Sequence, residues 1–188
     1  ELAKVAAKYG GSYHTHMRDE GKAIWESVTE AAEIGRRSGA RVQISHLKLS
    51  GKQYWGQADK LLAHIDSFHR QGIAISADQY PYPAGSSGLK SLLPNWTHQG
   101  GTEGLVGRLK NPGARDQIRA EMLEGMSEGG YMKIAAWTDV MICDSPSNPK
   151  NNGYSLQEIG DRDGKRPVDA MLDLLLEDYA KTLSLFFT

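Results

Sequence analysis

Three short segments decide the fold of this chain: SYHTH (residues 12–16), VQISH (42–46) and IAISAD (73–78). Each segment is largely apolar and ends at a residue able to bind a metal: His16, His46 and Asp78. A helix-length segment separates each pair, so the pattern predicts consecutive parallel strands whose last residues meet at one edge of a sheet. Barrel enzymes build their active sites at that edge.

The segments between these strands predict helices. Apolar residues recur at helical spacing in residues 22–38, and Gly39 follows as the expected stop. A second helix, which ends before Gly72, is predicted from the apolar residues Leu61, Leu62, Ile65 and Phe68. Because the strands look apolar on both faces, we expect an α/β fold in which helices cover a parallel sheet.

The rhythm changes after residue 82. PYPAGSSG (81–88) predicts a loop, and a helix is predicted over 114–126 with Ile118, Met122 and Leu123 on one side. The remaining predictions are short strands at 131–137 and 140–143, helices that open at Ser155 and Pro167, and an apolar end, TLSLFFT (182–188), without a finishing element. We interpret residues 83–165 as an elaborated insertion on the strand-end face of one domain, 1–188.

Composition narrows the class of function. The 188 residues include 22 basic and 23 acidic side chains, which gives a net charge of −1, so a small polar substrate is favoured over nucleic acid or a membrane. The single cysteine, Cys143, excludes an intrachain disulfide, and its apolar context predicts an inert core position. No signal or membrane-spanning pattern is present, and we expect a cytoplasmic protein. The first residue is Glu1, however, and both ends look cut.

Two histidines are the leading candidates for metal ligands. His16 and His46 occupy equivalent places at the ends of neighbouring strands, and metal sites draw ligands from several strands. His14 shares the face of His16 and is predicted to be a structural or outer-shell residue. The alternative is that these are ordinary structural histidines.

Charged residues follow the same strand ends. Lys48 is placed to bind a substrate carboxylate or carbonyl, and Arg18 to bind a carboxylate with two hydrogen bonds. Lys48 is equally compatible with a solvated loop lysine. As an equally plausible reading of this segment, Asp19 and Glu20 cap the following helix.

The third strand end adds further candidates. Asp78 is a ligand, an outer-shell partner, a general base or a simple turn residue. Tyr80 and Tyr82 flank Pro81 and either cover the pocket or pack at the rim. Ser86 and Ser87 lie among glycines whose amides suit an oxyanion, or else belong to a flexible loop.

Four motifs of this chain resemble the D-aminoacylase, or N-acyl-D-amino-acid deacylase, family of the amidohydrolase superfamily. They are GGSYHTHMRDEG (10–21), VQISHLKLSGKQYWGQADKLLAHID (42–66), ADQYPYPAGSSGLKSLLPNW (77–96) and GKRPVDAMLDLLLED (164–178). The resemblance implies a fragment, about strands 5 to 7, of a metal-dependent (β/α)8 barrel that hydrolyses N-acyl-D-amino acids. It also implies that His16 and His46 bind zinc, as one or two ions, and that Lys48, Tyr80 and Ser86 bind the substrate.

Parts of the family pattern have no match. The first-strand H-x-H, the early cysteine ligand and the late catalytic aspartate are missing, and Cys143, Asp161 and Asp163 do not fit those positions. We therefore expect no catalytic residue in the chain and little activity from it alone. Two other readings stay open at this point: a cyclic-amide hydrolase of the hydantoinase or dihydroorotase kind, and a non-catalytic barrel fragment. The oligomeric state is not predicted.

Overall fold

The three predicted strands form one parallel sheet, in the order β1 (Ser12–Thr15), β2 (Arg41–Ile44) and β3 (Ile75–Ala77). The chain is described by a computed structural model for residues 1–128, 134 and 136–187, with the side chains of 125–128 left out. It divides into two units, Glu1–Pro81 and Tyr82–Thr188. The sheet belongs to the first unit, and the predicted α/β class is confirmed.

The two faces of this sheet differ. Val42, Ile44 and Ile75 are buried at 4% exposure or less in a cluster with the helices. On the other face, His14, Gln43 and Ser76 lie side by side in register. Strands that are apolar on both faces were therefore a wrong prediction, because within this unit the helices pack against one face and the other carries polar side chains.

Three helices accompany the sheet: α1 (Leu2–Lys8), α2 (Ile24–Ser38) and α3 (Ala58–Arg70). Helix α2 ends as predicted at Gly39, whose φ of 75° is the left-handed conformation that glycine adopts easily. Helix α3 buries Leu61, Ile65 and Phe68, whereas Leu62 is 53% exposed. Leu62 lies one residue off the i, i+4, i+7 stripe that these three residues form.

The second unit contains an antiparallel sheet in the order β4 (Gly85–Gly88), β6 (Leu183–Phe186) and β5 (Val140–Asp144). One prediction fails here: GSSG is a strand rather than a loop, because its backbone pairs with β6, a contact between residues about 100 positions apart. The apolar segment at the end of the chain contains β6, the central strand of this sheet.

The described part of the second unit contains four α-helices: α4 (Gly101–Lys110), α5 (Pro112–Glu128), α6 (Leu156–Asp163) and α7 (Pro167–Glu177). Ser155 caps α6 by accepting a hydrogen bond from the Glu158 amide, and Pro167 begins α7, both as predicted. Leu123 was expected on the buried side of α5 but is 46% exposed.

The structure also bears on Cys143 and on the strand predicted over 131–137. Cys143 is exposed, so the core assignment was wrong: β5 alternates, and Cys143 points away from the side that buries Val140 and Ile142. The strand predicted over 131–137 lies largely outside the described residues, and its last residue begins a short 3₁₀ helix, Trp137–Asp139. Among the helices that are described, none is long and apolar enough to cross a membrane.

Candidate metal centre

His16 and His46 each lie just beyond the end of a strand, and their imidazoles are in contact. Nδ1 of His16 faces Nε2 of His46, and the ring centroids are 4.5 Å apart with a 41° tilt. The parallel register of β1 and β2 brings about this meeting, since Thr15 pairs with Ile44 and each histidine follows its strand by one or two residues. Two ring nitrogens therefore converge on one point at the strand-end edge.

The backbone at His46 is held by Asp78. His46 has a φ of 43°, a left-handed conformation that is uncommon for a residue with a side chain. Its amide donates to Asp78 Oδ1 at 2.7 Å, and Gln43 Nε2 donates to Asp78 Oδ2 at 2.8 Å. The His46 amide, followed by the Gln43 side chain, lowers the pKa of the Asp78 carboxyl. Asp78 thus supports the backbone of a candidate ligand.

Lys48 lies beside His46 and is paired. Its Nζ donates to Glu20 Oε2 at 2.6 Å and to the His46 carbonyl at 3.0 Å, and it also lies 3.0 Å from His46 Nδ1. The ammonium stands 5.6 Å from the centre of the Tyr80 ring, within the range of a cation–π contact. Burial, with a contribution from the charge of Glu20, raises the pKa of the Tyr80 hydroxyl.

Glu20 is the functional candidate that sequence reasoning did not select. Its Oε1 lies 2.9 Å from His46 Nδ1, and its Oε2 holds Lys48. The capping prediction for Asp19 and Glu20 was wrong, because α2 begins after Ala23 without a side-chain cap: Asp19 Oδ1 instead accepts from the loop amides of Gly21 and Ala23 at 2.7 and 3.0 Å. The signal in the sequence was a second acidic residue beside Asp19 in the loop that follows the first strand.

Gln43 was also missed. It is the polar residue within VQIS, and it accepts a hydrogen bond from Ser76 Oγ at 2.6 Å while it donates to Asp78. A polar side chain inside an otherwise apolar strand, three residues before a candidate ligand, was the available signal.

The remaining predicted site residues have other partners or belong to the second unit. Arg18 makes two hydrogen bonds to Glu30, at 3.1 and 2.8 Å, and its side chain is 78% exposed. His14 Nε2 lies 2.8 Å from Ser12 Oγ. Ser86 is an exposed residue of β4, in the second unit.

The chemistry of the cluster fits part of a metal site. Neutral imidazole nitrogens are common zinc ligands, and structural or catalytic zinc takes at least three protein ligands. Among the described residues, no group of three or more His, Cys, Asp or Glu side chains is arranged to hold a metal ion. His16 and His46 therefore supply two converging donors, fewer than zinc normally requires.

The chain was compared with protein-family models, with curated proteins and with solved structures. No protein-family model matches the chain. An N-acyl-D-glutamate deacylase of Alcaligenes xylosoxydans xylosoxydans is 38% identical over 86 residues, which cover 46% of this chain and 18% of that protein. The chain thus matches less than a fifth of the length of this curated relative.

Two solved structures resemble nearly the whole chain. One is an N-acyl-D-glutamate deacylase from Bordetella bronchiseptica in complex with zinc and a phosphonate inhibitor, with a TM-score of 0.68, 25% identity, and coverage of 99% of this chain and 30% of that one. The other is a D-aminoacylase described as defining a novel subset of amidohydrolases, with a TM-score of 0.66, 26% identity, and coverage of 98% and 29%. These matches confirm the resemblance predicted from the motifs. By sequence and by structure, the chain therefore resembles N-acyl-D-glutamate deacylases and D-aminoacylases.

Proposed function

We propose that the protein containing this chain is a zinc-dependent hydrolase that cleaves the amide bond of N-acyl-D-amino acids. The observation that carries the proposal is the convergence of His16 Nδ1 and His46 Nε2 at the strand-end edge, with the Lys48 ammonium beside them. Since the chain covers less than a third of its solved relatives, the activity belongs to the whole protein.

The architecture that we propose is a (β/α)8 barrel, of which β1–β3 form part and residues 83–165 form an insertion. Parallel strands with helices against one face and polar residues on the other support this assignment. The polar face, which includes His14, Gln43 and Ser76, corresponds to an inward-facing layer near the active site.

The residues have distinct roles in the proposed reaction. Amide hydrolysis needs an activated water, a carboxylate that moves its proton to the leaving amine, and donors that hold the developing oxyanion. Zinc supplies Lewis acidity and makes water nucleophilic near neutral pH, and His16 and His46 would hold it. Lys48 is oriented by Glu20 and binds the substrate carboxylate or carbonyl.

Other residues complete the substrate site in this proposal. Tyr80, against the Lys48 ammonium, and Ser86 contact the substrate or its tetrahedral intermediate. Arg18 binds a substrate carboxylate only after it leaves Glu30. Asp78 and His14 support the ligands, and the proton-moving carboxylate comes from another part of the protein.

The isolated 188-residue chain is expected to have little or no activity and weak affinity for zinc, because two imidazoles are fewer than the three protein ligands of a catalytic zinc site. Purified chain that bound stoichiometric zinc and turned over an N-acyl-D-amino acid would contradict this expectation.

The test of the proposed function is an assay of the full-length protein with zinc. Substrates are an N-acetyl-D-amino acid, its L-enantiomer and a cyclic amide, and the variants are His46→Ala and, as a matched control outside the centre, His98→Ala. We expect hydrolysis of the D-enantiomer that His46→Ala abolishes and His98→Ala retains. Preference for the cyclic amide, or full activity in His46→Ala, would overturn the proposal.

A further inference from the structure

Glu20 joins the two polar groups of the metal centre. One carboxylate oxygen is 2.6 Å from Lys48 Nζ and the other is 2.9 Å from His46 Nδ1. The three side chains are 20–29% exposed, so these interactions are screened less than those of a surface pair. A single carboxylate therefore contacts both the candidate ligand and the candidate substrate-binding lysine.

The oxygen near His46 is short of a donor. Glu20 Oε1 is buried, and among the described residues it has no hydrogen bond of regular geometry, although His46 Nδ1 is within ion-pair distance. A buried carboxylate oxygen without a donor destabilises the folded state. If His46 Nδ1 carries a proton, it can donate that proton in a hydrogen bond to Glu20 Oε1.

That proton determines what the other ring nitrogen can do. In a neutral imidazole only one nitrogen carries hydrogen, so a proton on Nδ1 leaves a lone pair on Nε2. Nε2 is the atom that faces His16 Nδ1. We propose that Glu20 is a positioning residue, which keeps the His46 proton on Nδ1 so that Nε2 is free to bind a metal, and which holds the Lys48 ammonium next to the same site.

The opposite arrangement has a candidate donor, because Lys48 Nζ lies 3.0 Å from His46 Nδ1. If that contact were the true hydrogen bond, Nδ1 would accept and the proton would lie on Nε2. Lys48, however, already donates to Glu20 Oε2 and to the His46 carbonyl. Glu20 Oε1 has no such second partner among the residues described, so the carboxylate has more to gain from Nδ1 than the lysine has.

The test reads the tautomer directly, in the metal-free 188-residue chain. Long-range ¹H–¹⁵N correlation spectra of the imidazoles, at about pH 8 where histidine is largely neutral, distinguish a protonated from an unprotonated ring nitrogen. His46 is assigned from the His46→Asn spectrum. We expect Nδ1 to carry the proton in the wild type, and a mixture or the reversed tautomer in Glu20→Ala.

Two further variants keep the test decisive. Glu20→Gln preserves the shape of the side chain if Glu20→Ala does not fold, and it should also reduce the Nδ1–H population. Glu26→Gln, an exposed residue of α2, should leave the tautomer unchanged. A wild-type proton on Nε2, or an unchanged His46 in a folded Glu20 variant, would overturn the proposal.

The consequence for catalysis rests on the proposed function and has its own readout. Loss of an outer-shell partner typically lowers metal affinity 10- to 100-fold, so zinc titration of the metal-free full-length protein should show a weaker site in Glu20→Gln. An inactive full-length protein would overturn the deacylase proposal and leave the tautomer result intact. A normal zinc affinity in an active Glu20→Gln protein would overturn the metal part of the Glu20 proposal alone.

Discussion

Asp78 makes three hydrogen bonds to the turn that carries His46. Its carboxylate accepts from the His46 amide at 2.7 Å, its own amide donates to the Ile44 carbonyl at 3.1 Å, and its carbonyl accepts from the Leu47 amide at 2.8 Å. The end of β2 is therefore fixed by the residue that follows β3. A candidate metal ligand thus has its backbone set by the neighbouring strand.

Replacement of Asp78 should loosen this turn. In Asp78→Ala the His46 amide loses its carboxylate acceptor, so we expect its hydrogen exchange to become several-fold faster. NMR-detected exchange checks this, with Asp59→Ala on α3 as the control that leaves His46 unchanged. Equal exchange rates in Asp78→Ala and the wild type would show that the carboxylate does not hold the turn.

The left-handed backbone of His46 leads to a second prediction: replacement by glycine rather than alanine should favour the folded state at His46 and disfavour it at a helical position. At a φ of 43° glycine avoids the Cβ penalty of about 1–2 kcal/mol, so His46→Gly should be more stable than His46→Ala by roughly 1 kcal/mol. At Asp66, within α3, alanine should be the more stable of the two. Urea unfolding of the four variants checks both signs, and greater stability of His46→Ala would argue against the left-handed conformation.

These two predictions depend on features that sequence patterns did not contain. Periodicity and glycine stops predicted β1, β2, β3 and the two longer helices between them, because those patterns are local. The strand character of residues 85–88 depends on β6, about 100 residues away, and propensity rules cannot detect that pairing.

In the candidate site, too, local spacing predicted some residues, whereas the roles of others depend on long-range contacts. His16, His46 and Lys48 follow from spacing, since parallel strands align their ends. The role of Glu20 depends on how the loop after β1 folds back onto His46, and the engagement of Arg18 with Glu30 depends on the position of α2. Neither contact has a fixed sequence separation, so the sequence offered capping and substrate binding as equal alternatives.

A buried carboxylate in the second unit gives a prediction on pH. Burial raises the pKa of Asp178, but hydrogen bonds from Ser145, Thr182 and the Ser147 amide outweigh it and leave the pKa below its usual value. A depressed pKa stabilises the folded state above the unfolded pKa of about 3.9, and this contribution is lost as the pH falls through the lower folded value.

The change to test is Asp178→Asn. At pH 7 it should reduce the free energy of unfolding by roughly 1–3 kcal/mol, because the buried donors lose a charged acceptor. The deficit should shrink as the pH falls below about 4, because the carboxylate is protonated first in the unfolded wild type and only at lower pH in the folded one. Urea unfolding across this range checks it, with the exposed Asp144→Asn as control, and a deficit independent of pH would contradict the assignment.

Two glycines of α4 should respond oppositely to alanine. A Cβ at Gly104 would clash with the Gln99 carbonyl, whereas a Cβ at Gly107 has no neighbour within 4 Å among the described residues. Gly104→Ala should therefore destabilise by roughly 1–3 kcal/mol, and Gly107→Ala should stabilise by about 0.5–1 kcal/mol through helix propensity. Thermal unfolding of both variants decides, and a neutral Gly104→Ala would contradict the close approach.

The central claim is that His16 and His46 bind the same metal ion. Zinc content per chain, measured by mass spectrometry on full-length protein, tests it in the wild type, in His16→Ala, in His46→Ala and in the His98→Ala control. We expect at least one zinc per chain in the wild type and the control, and a clear loss of zinc in both ligand variants. Unchanged zinc in either His16→Ala or His46→Ala would contradict it.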